Sequence, residues 1–449
     1  MASIPYALRQ IKEDFAKLVG ASVVHAMCAA VGHEWRDRTL DPVTTIHLFL
    51  LQILHGNTAC AHVRHMVDIA FTASAYCQAR ARLPVDVFRL LAHHVTGTLD
   101  RCAQEVERWC GHRVFHLDGS SFSMPDTPAL QAHFGQPGGQ RAGCGFPTAH
   151  VLALCNAATG FLIDLIVSPL RTHDMAEAFR LHAHLAAGDV VVMDRGFCSF
   201  AHLALLTKAG VHAIVRMHQR QIVRFKKNRP SARQVKPGQR KGHPTSAYVR
   251  YLGRYDQVVE WFKPPCCPVW MPRAQFDALP ESILVRELRY RIHRPGFRTR
   301  SVTLATTLLD AEKYAKNELA EQYRRRWQIE INFRHLKQTL GMDTLRCQSV
   351  DGVMKEVWMF LLVYNLVRML MLTASRRQGV AVHRISFIDA LRWLLTSGRR
   401  PACDALIVNP DRPNRIEPRV LKRRPKQYKR MTKPRYAIRK PLENKTVAA

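Results

Sequence analysis

The chain has 449 residues, 47% of them hydrophobic, which is enough for several buried cores and excludes a wholly disordered polypeptide. Sixty-seven Lys and Arg against 35 Asp and Glu leave a net charge of +32, far more than solubility requires, so a polyanionic partner is implied, nucleic acid foremost. The twelve cysteines contain no CxxC pair and only Cys266 and Cys267 are adjacent, which argues against a disulfide framework or a zinc site and for reduced thiols in a cytoplasmic protein.

Residues 1–20 interleave Arg9, Lys12, Glu13, Asp14 and Lys17 with apolar positions, so no signal-peptide core is expected. The pattern is helical through residue 110. Asp41 and Pro42 supply cap and first-turn chemistry to an apolar run over 46–54, Gly56 is placed to stop it, and Ser74 precedes a short helix with Arg80 and Arg82. Residues 1–110 are therefore expected to form a compact helical module, for which a role in gripping DNA draws its support from the rest of the chain.

From His112 the periodicity becomes that of strands. Residues 114–117 lead into Asp118, and 150–155 and 161–167 flank Ala158, Thr159 and Gly160 as a hairpin. A helix over 174–187, a buried strand over 190–193 running into Asp194, a helix over 200–208 and a strand over 213–216 complete the series. Three strands, helix, strand, helix, strand describe an α/β layered domain with a mixed sheet over 111–216.

Residues 220–245, rich in Lys, Arg, Pro and Gly, read as a basic loop, either simply solvated or in contact with phosphate. Strand-like alternation over 248–251, 258–262, 283–292 and 301–308 predicts an all-β insertion within 217–309. Helices resume at Glu312 and continue past Trp358 to about Trp393, and 310–375 is read as the second part of the α/β core. Their apolar run 357–372 contains Asn365 and Arg368 and is short for a bilayer, so it predicts a core helix and no membrane association. Residues 376–449 hold a further helix and a basic tail, 411–440, expected to be disordered and to contact nucleic acid.

The chemistry centres on EQYRRRWQIEINFRHLKQTL, residues 321–340. As one helix this stretch puts Tyr323, Arg326, Glu330 and Lys337 within an arc of roughly 60°, beside an apolar stripe of Ile329, Phe333, Leu336 and Leu340. Such spacing is ordinarily a salt-bridged, solvated face. It acquires meaning from Asp118 and Asp194, each at or just beyond a hydrophobic strand and followed by a glycine expected to permit a turn, in LDGSS and MDRGF. Three carboxylates drawn together repel unless a cation intervenes, and hard oxygen donors favour Mg²⁺, with Mn²⁺ as a substitute, two ions being expected. Phosphodiester displacement between two metals is the chemistry that suits them. His182 and His184, two apart on a helix, make poor joint ligands.

LDGSSFSMPD, FGQPGGQRAGCGFP, VVMDRGF and the Tyr323, Arg326, Glu330, Lys337 series resemble the DDE transposases of bacterial insertion sequences, specifically the cut-and-paste group with a Tyr-Arg-Glu-Lys signature. The resemblance spans roughly residues 70–375. It implies a ribonuclease-H-like core interrupted by a β-rich insertion, with Asp118, Asp194 and Glu330 as catalytic metal ligands and Tyr323, Arg326 and Lys337 on the terminal DNA. The implied reaction nicks double-stranded DNA at terminal inverted repeats and joins the 3′ ends to target DNA, within a dimer assembled on DNA. Members of the group can pass through a hairpin intermediate with a Trp inserted beside a flipped base. Trp261 and Trp270 lie in the corresponding insertion, where packing is the stronger reading of each. The rivals are a stand-alone metal-dependent nuclease and a non-catalytic DNA-binding derivative; covalent catalysis by Tyr323 lacks a matched Arg and His set.

Overall fold

Local signals at the helix ends set the first layer. In the computed structural model, which describes residues 18–102, 108–139, 141–172, 174–218, 221, 223–225, 245–292, 301–395, 405–410, 433–434 and 437, five helices precede the first strand: α1 (Ala21–Ala30), α2 (Pro42–Leu54), α3 (Cys60–Val63), α4 (Ala73–Arg82) and α5 (Val85–Cys102). The Asp41 carboxylate accepts the Thr44 N–H at 2.7 Å with Pro42 in the first turn, and Gly56, at φ +68°, follows the end of α2. The cap of α4 is Thr72 and not Ser74, because it is the Thr72 hydroxyl that accepts the Ala75 N–H, at 3.1 Å.

The strands are β1 (Val114–Ser123), β2 (Thr148–Asn156), β3 (Leu162–Pro169), β4 (Val190–Met193), β5 (His212–Arg216), β6 (Ser246–Gly253), β7 (Asp256–Phe262), β8 (Ser282–Arg291) and β9 (Ser301–Thr306). Between and after them lie α6 (Pro128–Phe134), α7 (Asp174–Ala178), α8 (Phe200–Lys208), α9 (Arg273–Asp277), α10 (Lys316–Arg325), α11 (Trp327–Arg334), α12 (Val350–Gln378) and α13 (Phe387–Leu395). The described strands form one mixed sheet in the order β3-β2-β1-β4-β5-β9-β8-β7-β6, with β1, β4 and β5 mutually parallel and the other pairings antiparallel.

Strand β9 pairs with β5 from Ile214 opposite Thr306 to Arg216 opposite Leu304, so β6–β9 continue the central sheet, with the short α9 between β7 and β8. Two local expectations are corrected. The helix expected over 174–187 is one short α segment followed by a 3₁₀ turn, Phe179–His184, whose tighter winding sends His182 to His202 and His184 to Asp164. The stretch 321–340 is not one regular helix: Arg326 N–H bonds back to Tyr323 O, an i−3 contact, and His335–Thr339 is a π turn closed by Leu340 N–H on His335 O.

Helix α12 is the one described helix long and apolar enough to cross a membrane, and 89% of its apolar window is buried inside the fold. Its polar residues are structural. Asn365 accepts the Leu162 N–H at 2.9 Å and donates to Leu162 O at 2.8 Å, so a side-chain amide serves the edge strand β3 in place of a neighbouring strand. Arg368 donates to Tyr364 and Asn332. Buried Glu356 accepts Asn57 Nδ2 at 2.9 Å and the Cys347 N–H at 3.0 Å, and Lys355 donates to the carbonyls of Arg80 and Ala81, which ties the N-terminal helices to α12. The basic stretch 220–245 and the tail 411–440 lie almost wholly outside the described residues.

Candidate active site

Register places the first two acids side by side. Leu117 pairs with Met193 across the parallel β1 and β4, so Asp118 and Asp194 are next in line on adjacent strands. Here β4 ends, while β1 continues to Ser123 because its other edge stays paired with β2 and Asp118 faces Ala153. Asp118 is thus mid-strand, and Gly119 after it makes no turn. A Cβ on Gly119 would stand 2.8 Å from Oδ2 of Asp174, so the glycine makes room for a fourth carboxylate close to the pair. Gly196 does sit in a turn, the 3₁₀ segment Arg195–Phe197.

Helices α10 and α11 bring the signature residues onto this edge. The Arg326 guanidinium donates to Asp118 Oδ2 and, at 3.4 Å, to Glu330 Oε1, while the Tyr323 hydroxyl donates to Asp194 Oδ1 at 3.2 Å. Arg326 therefore bridges two of the carboxylates and the Tyr323 phenol holds the third. Lys337, carried past the π turn, donates to Ser121 O at 2.7 Å and lies 3.5 Å from Ser120 Oγ and from Asp343.

The electrostatics are those of a crowded, half-sequestered anion cluster. Burial pushes the Asp118 carboxyl above the usual carboxylate range, Arg326 and the Gly119 N–H oppose it, and the charges of Asp194 and Asp174 add to it. Glu330 is raised in the same way, by burial first, against Arg326 and with Asp118 and Asp194. Burial also raises the Tyr323 phenol, which keeps it a proton donor to Asp194. Two residues before Asp118, buried His116 is driven down to about 3 by burial and by Arg326 and Arg325, so it is neutral, and neither ring nitrogen has a partner among the described residues.

Oxygen-only donors whose mutual repulsion is offset by a single guanidinium suit a hard divalent cation in chemistry. Among the described residues no three His, Cys, Asp or Glu already converge as a ligand set, since Arg326 stands between Asp118 and Glu330. Asp118, Asp194 and Glu330 are the donors that would take such an ion.

Trp327, next to Arg326, is not singled out by the charge or spacing of this stretch. Its ring is 45% exposed with the Arg326 guanidinium 5.6 Å from its centroid. Trp261 is fully buried and donates to Glu287 at 3.2 Å, and Trp270 stacks on Phe179, so both pack. Ser120 and Ser121, which receive Lys337, were visible in LDGSS only as neighbours of the acid.

A family profile described as the transposase DDE domain matches residues 109–366, more than half of the chain. The chain is 26% identical over 376 residues to "Transposase InsG for insertion sequence element IS4" of Escherichia coli (strain K12), covering 79% of this chain and 77% of that protein. It is 21% identical over 380 residues to "Probable transposase for insertion sequence element IS5377" of Geobacillus stearothermophilus, covering 83% and 88%. Among solved structures, "Cryo-EM structure of piggyBac transposase synaptic complex with hairpin DNA (SNHP)" aligns with a TM-score of 0.46 at 8% identity, over 88% of this chain and 79% of that one. The matched domain contains both strand-borne acids and the helix that carries Glu330, and the chain belongs to the DDE transposase family as an enzyme that acts on DNA.

Proposed function

We propose that Asp118, Asp194 and Glu330 are the catalytic carboxylates of this transposase and that Tyr323, Arg326 and Lys337 position the terminal DNA. The family generally uses divalent metal ions; we assign Mg²⁺ here, with Mn²⁺ able to replace it, on the three acids. The carrying observation is the Arg326 fork on Asp118 and Glu330, coupled with the Tyr323 bond to Asp194, which draws residues from three distant parts of the chain into one cluster.

A bound divalent ion supplies positive charge to the attacking and departing oxygens of an in-line displacement. The remaining work falls to the protein. Arg326, released from the acids, offers a planar fork to a phosphate, and Lys337, fixed on the backbone beyond Asp118, offers a point charge a short way along the strand.

In this reading β1–β5 are a ribonuclease-H-like core, 111–216 with 310–375, and β6–β9 are the insertion, 217–309, joined to its edge. Residues 1–110 are the DNA-binding module and 376–449 the basic C-terminal region. The substrates are terminal inverted repeats and target DNA, the working state a dimer assembled on DNA, and the compartment the cytoplasm where that DNA lies.

The test is substitution of each acid. Asp118→Asn, Asp194→Asn and Glu330→Gln are each expected to reduce cleavage and strand transfer at least ~10³-fold while duplex binding is retained, since loss of negative charge does not weaken phosphate attraction. Wild-type cleavage by any of the three variants would remove that residue from the set.

A further inference from the structure

One acidic side chain beside the three carboxylates takes no part in the bonds that hold them together. Asp174 opens α7, and its Oδ2 occupies the space a side chain at position 119 would fill, 2.8 Å from where a Cβ would stand. Successive side chains leave a strand on opposite faces, so Asp174 meets β1 from the face opposite Asp118, Arg326 and Glu330. Strand β4 has ended at Met193, and the chain turns there through Arg195–Phe197, against which α7 packs. Beyond that point no described strand closes this edge of β1 between its two faces.

The charge of Asp174 is not compensated within the fold. Glu177, one turn on, pairs with Arg180 at 2.6 Å, whereas the one ion-pair contact of Asp174 among the described residues is His150 Nδ1 at 3.7 Å, too long for a hydrogen bond. The Asp174 side chain is 36% exposed. Burial raises the Asp118 carboxyl first, and the charge of Asp174 adds to it, so the two acids sense each other. A carboxylate held this close to others is repelled unless a cation receives it, and the missing side chain of Gly119 is what admits it.

We propose that Asp174 is a fourth carboxylate of the active site, facing the divalent cation from the side of the sheet opposite Glu330 and tightening its binding. The proposal rests on the assignment of Asp118, Asp194 and Glu330 as the cation's ligands and extends it to a residue outside that set. Standing behind the strand, Asp174 suits contact through the water shell of a hydrated ion better than direct ligation, and Mg²⁺ keeps several of its waters.

The experiment titrates Mn²⁺ alone onto the full-length protein, with the free ion followed by electron paramagnetic resonance, and then measures DNA cleavage over a range of Mn²⁺ concentrations. Asp174→Asn keeps the shape and removes the charge. It is expected to weaken Mn²⁺ binding roughly 3–10-fold, to raise by the same factor the Mn²⁺ concentration that half-saturates cleavage, and to recover most of the wild-type rate at high Mn²⁺. Without metal its thermal midpoint is expected to equal or exceed that of the wild type, because a repulsion has been removed; a residue needed only for packing would lower it. Glu177→Gln, on the same helix, is expected to leave both Mn²⁺ readings unchanged. Wild-type Mn²⁺ affinity in Asp174→Asn, with weakened binding in Asp118→Asn, would overturn the proposal and leave the three-acid assignment standing. Wild-type affinity in both variants would remove that assignment and the proposal with it. A cleavage loss in Asp174→Asn that no Mn²⁺ concentration restores would also overturn the proposal.

Discussion

Gly119 carries more of the site than its size suggests. Its backbone is ordinary strand, so it is present for lack of a side chain and not for conformational freedom: Asp174 Oδ2 stands where a methyl group would press against it, and Cγ lies 3.2 Å from the same point. Gly119→Ala should therefore displace the Asp174 carboxylate from its place beside Asp118. We expect cleavage to fall roughly tenfold or more, because a shift of about 1 Å at a reacting centre is costly, while stability falls by only about 1–2 kcal/mol. Single-turnover cleavage rates and urea denaturation of the same preparation separate the two effects. The motif LDGSS was legible in the sequence, but the glycine's purpose was not, because the group it accommodates belongs to a different segment and spacing along the chain says nothing about that approach. The same limit applies to Arg326. A helical wheel gives its face correctly, yet only the fold shows that the guanidinium is held between two of the acids.

At the scale of elements, strand patterns were legible and strand partners were not. Alternation identified all four strands from β6 to β9, but the pairing of β9 with β5 depends on residues about ninety positions apart, which no local period encodes. Edge strand β3 shows what closes the opposite side of the sheet. Asn365 on α12 serves both backbone groups of Leu162 and donates to Thr96 as well, so Asn365→Ala should leave buried groups unsatisfied and cost about 2–3 kcal/mol in urea unfolding. On the same strand Asp164 accepts His184 Nε2 at 2.8 Å and His93 Nε2 at 3.0 Å, linking the 3₁₀ turn, β3 and α5. Burial alone would raise this carboxyl, but the two histidine bonds outweigh it and bring it from 3.8 down to about 2. A depressed folded pKa contributes stability above the unfolded value, and that stability is lost as pH falls through the folded one. Denaturation measured from pH 6 to pH 2 should show roughly 2 kcal/mol disappearing between about pH 4 and pH 2, and Asp164→Asn should lack that loss while starting from a lower plateau at neutral pH. Equal acid limbs in the two proteins would remove Asp164 from the account.

For the molecule as a whole, the charge balance read from composition and the fold read from periodicity describe different parts of the chain. The buried apolar cluster runs from Leu18 to Leu406 through the N-terminal helices, the sheet and α12, whereas residues 411–449 are dense in Arg and Lys and add no described member to it. If the tail's cations act only on DNA, its removal changes binding and not folding. A chain ending at residue 410 should keep the wild-type thermal midpoint within about 1–2 °C, because none of the described residues beyond 410 belongs to the buried apolar cluster. Its affinity for duplex DNA should fall steeply at low salt and converge toward that of the full chain as salt rises, since each phosphate contact given up takes about 0.9 from the log–log slope and screening removes the same contribution from the intact protein. The two proteins should also retain the same metal-dependent cleavage rate once DNA is saturating, because the tail's charge raises occupancy without touching the proposed catalytic carboxylates. A drop in saturated cleavage, with the midpoint unchanged, would instead mean that the basic tail reaches the reacting strand.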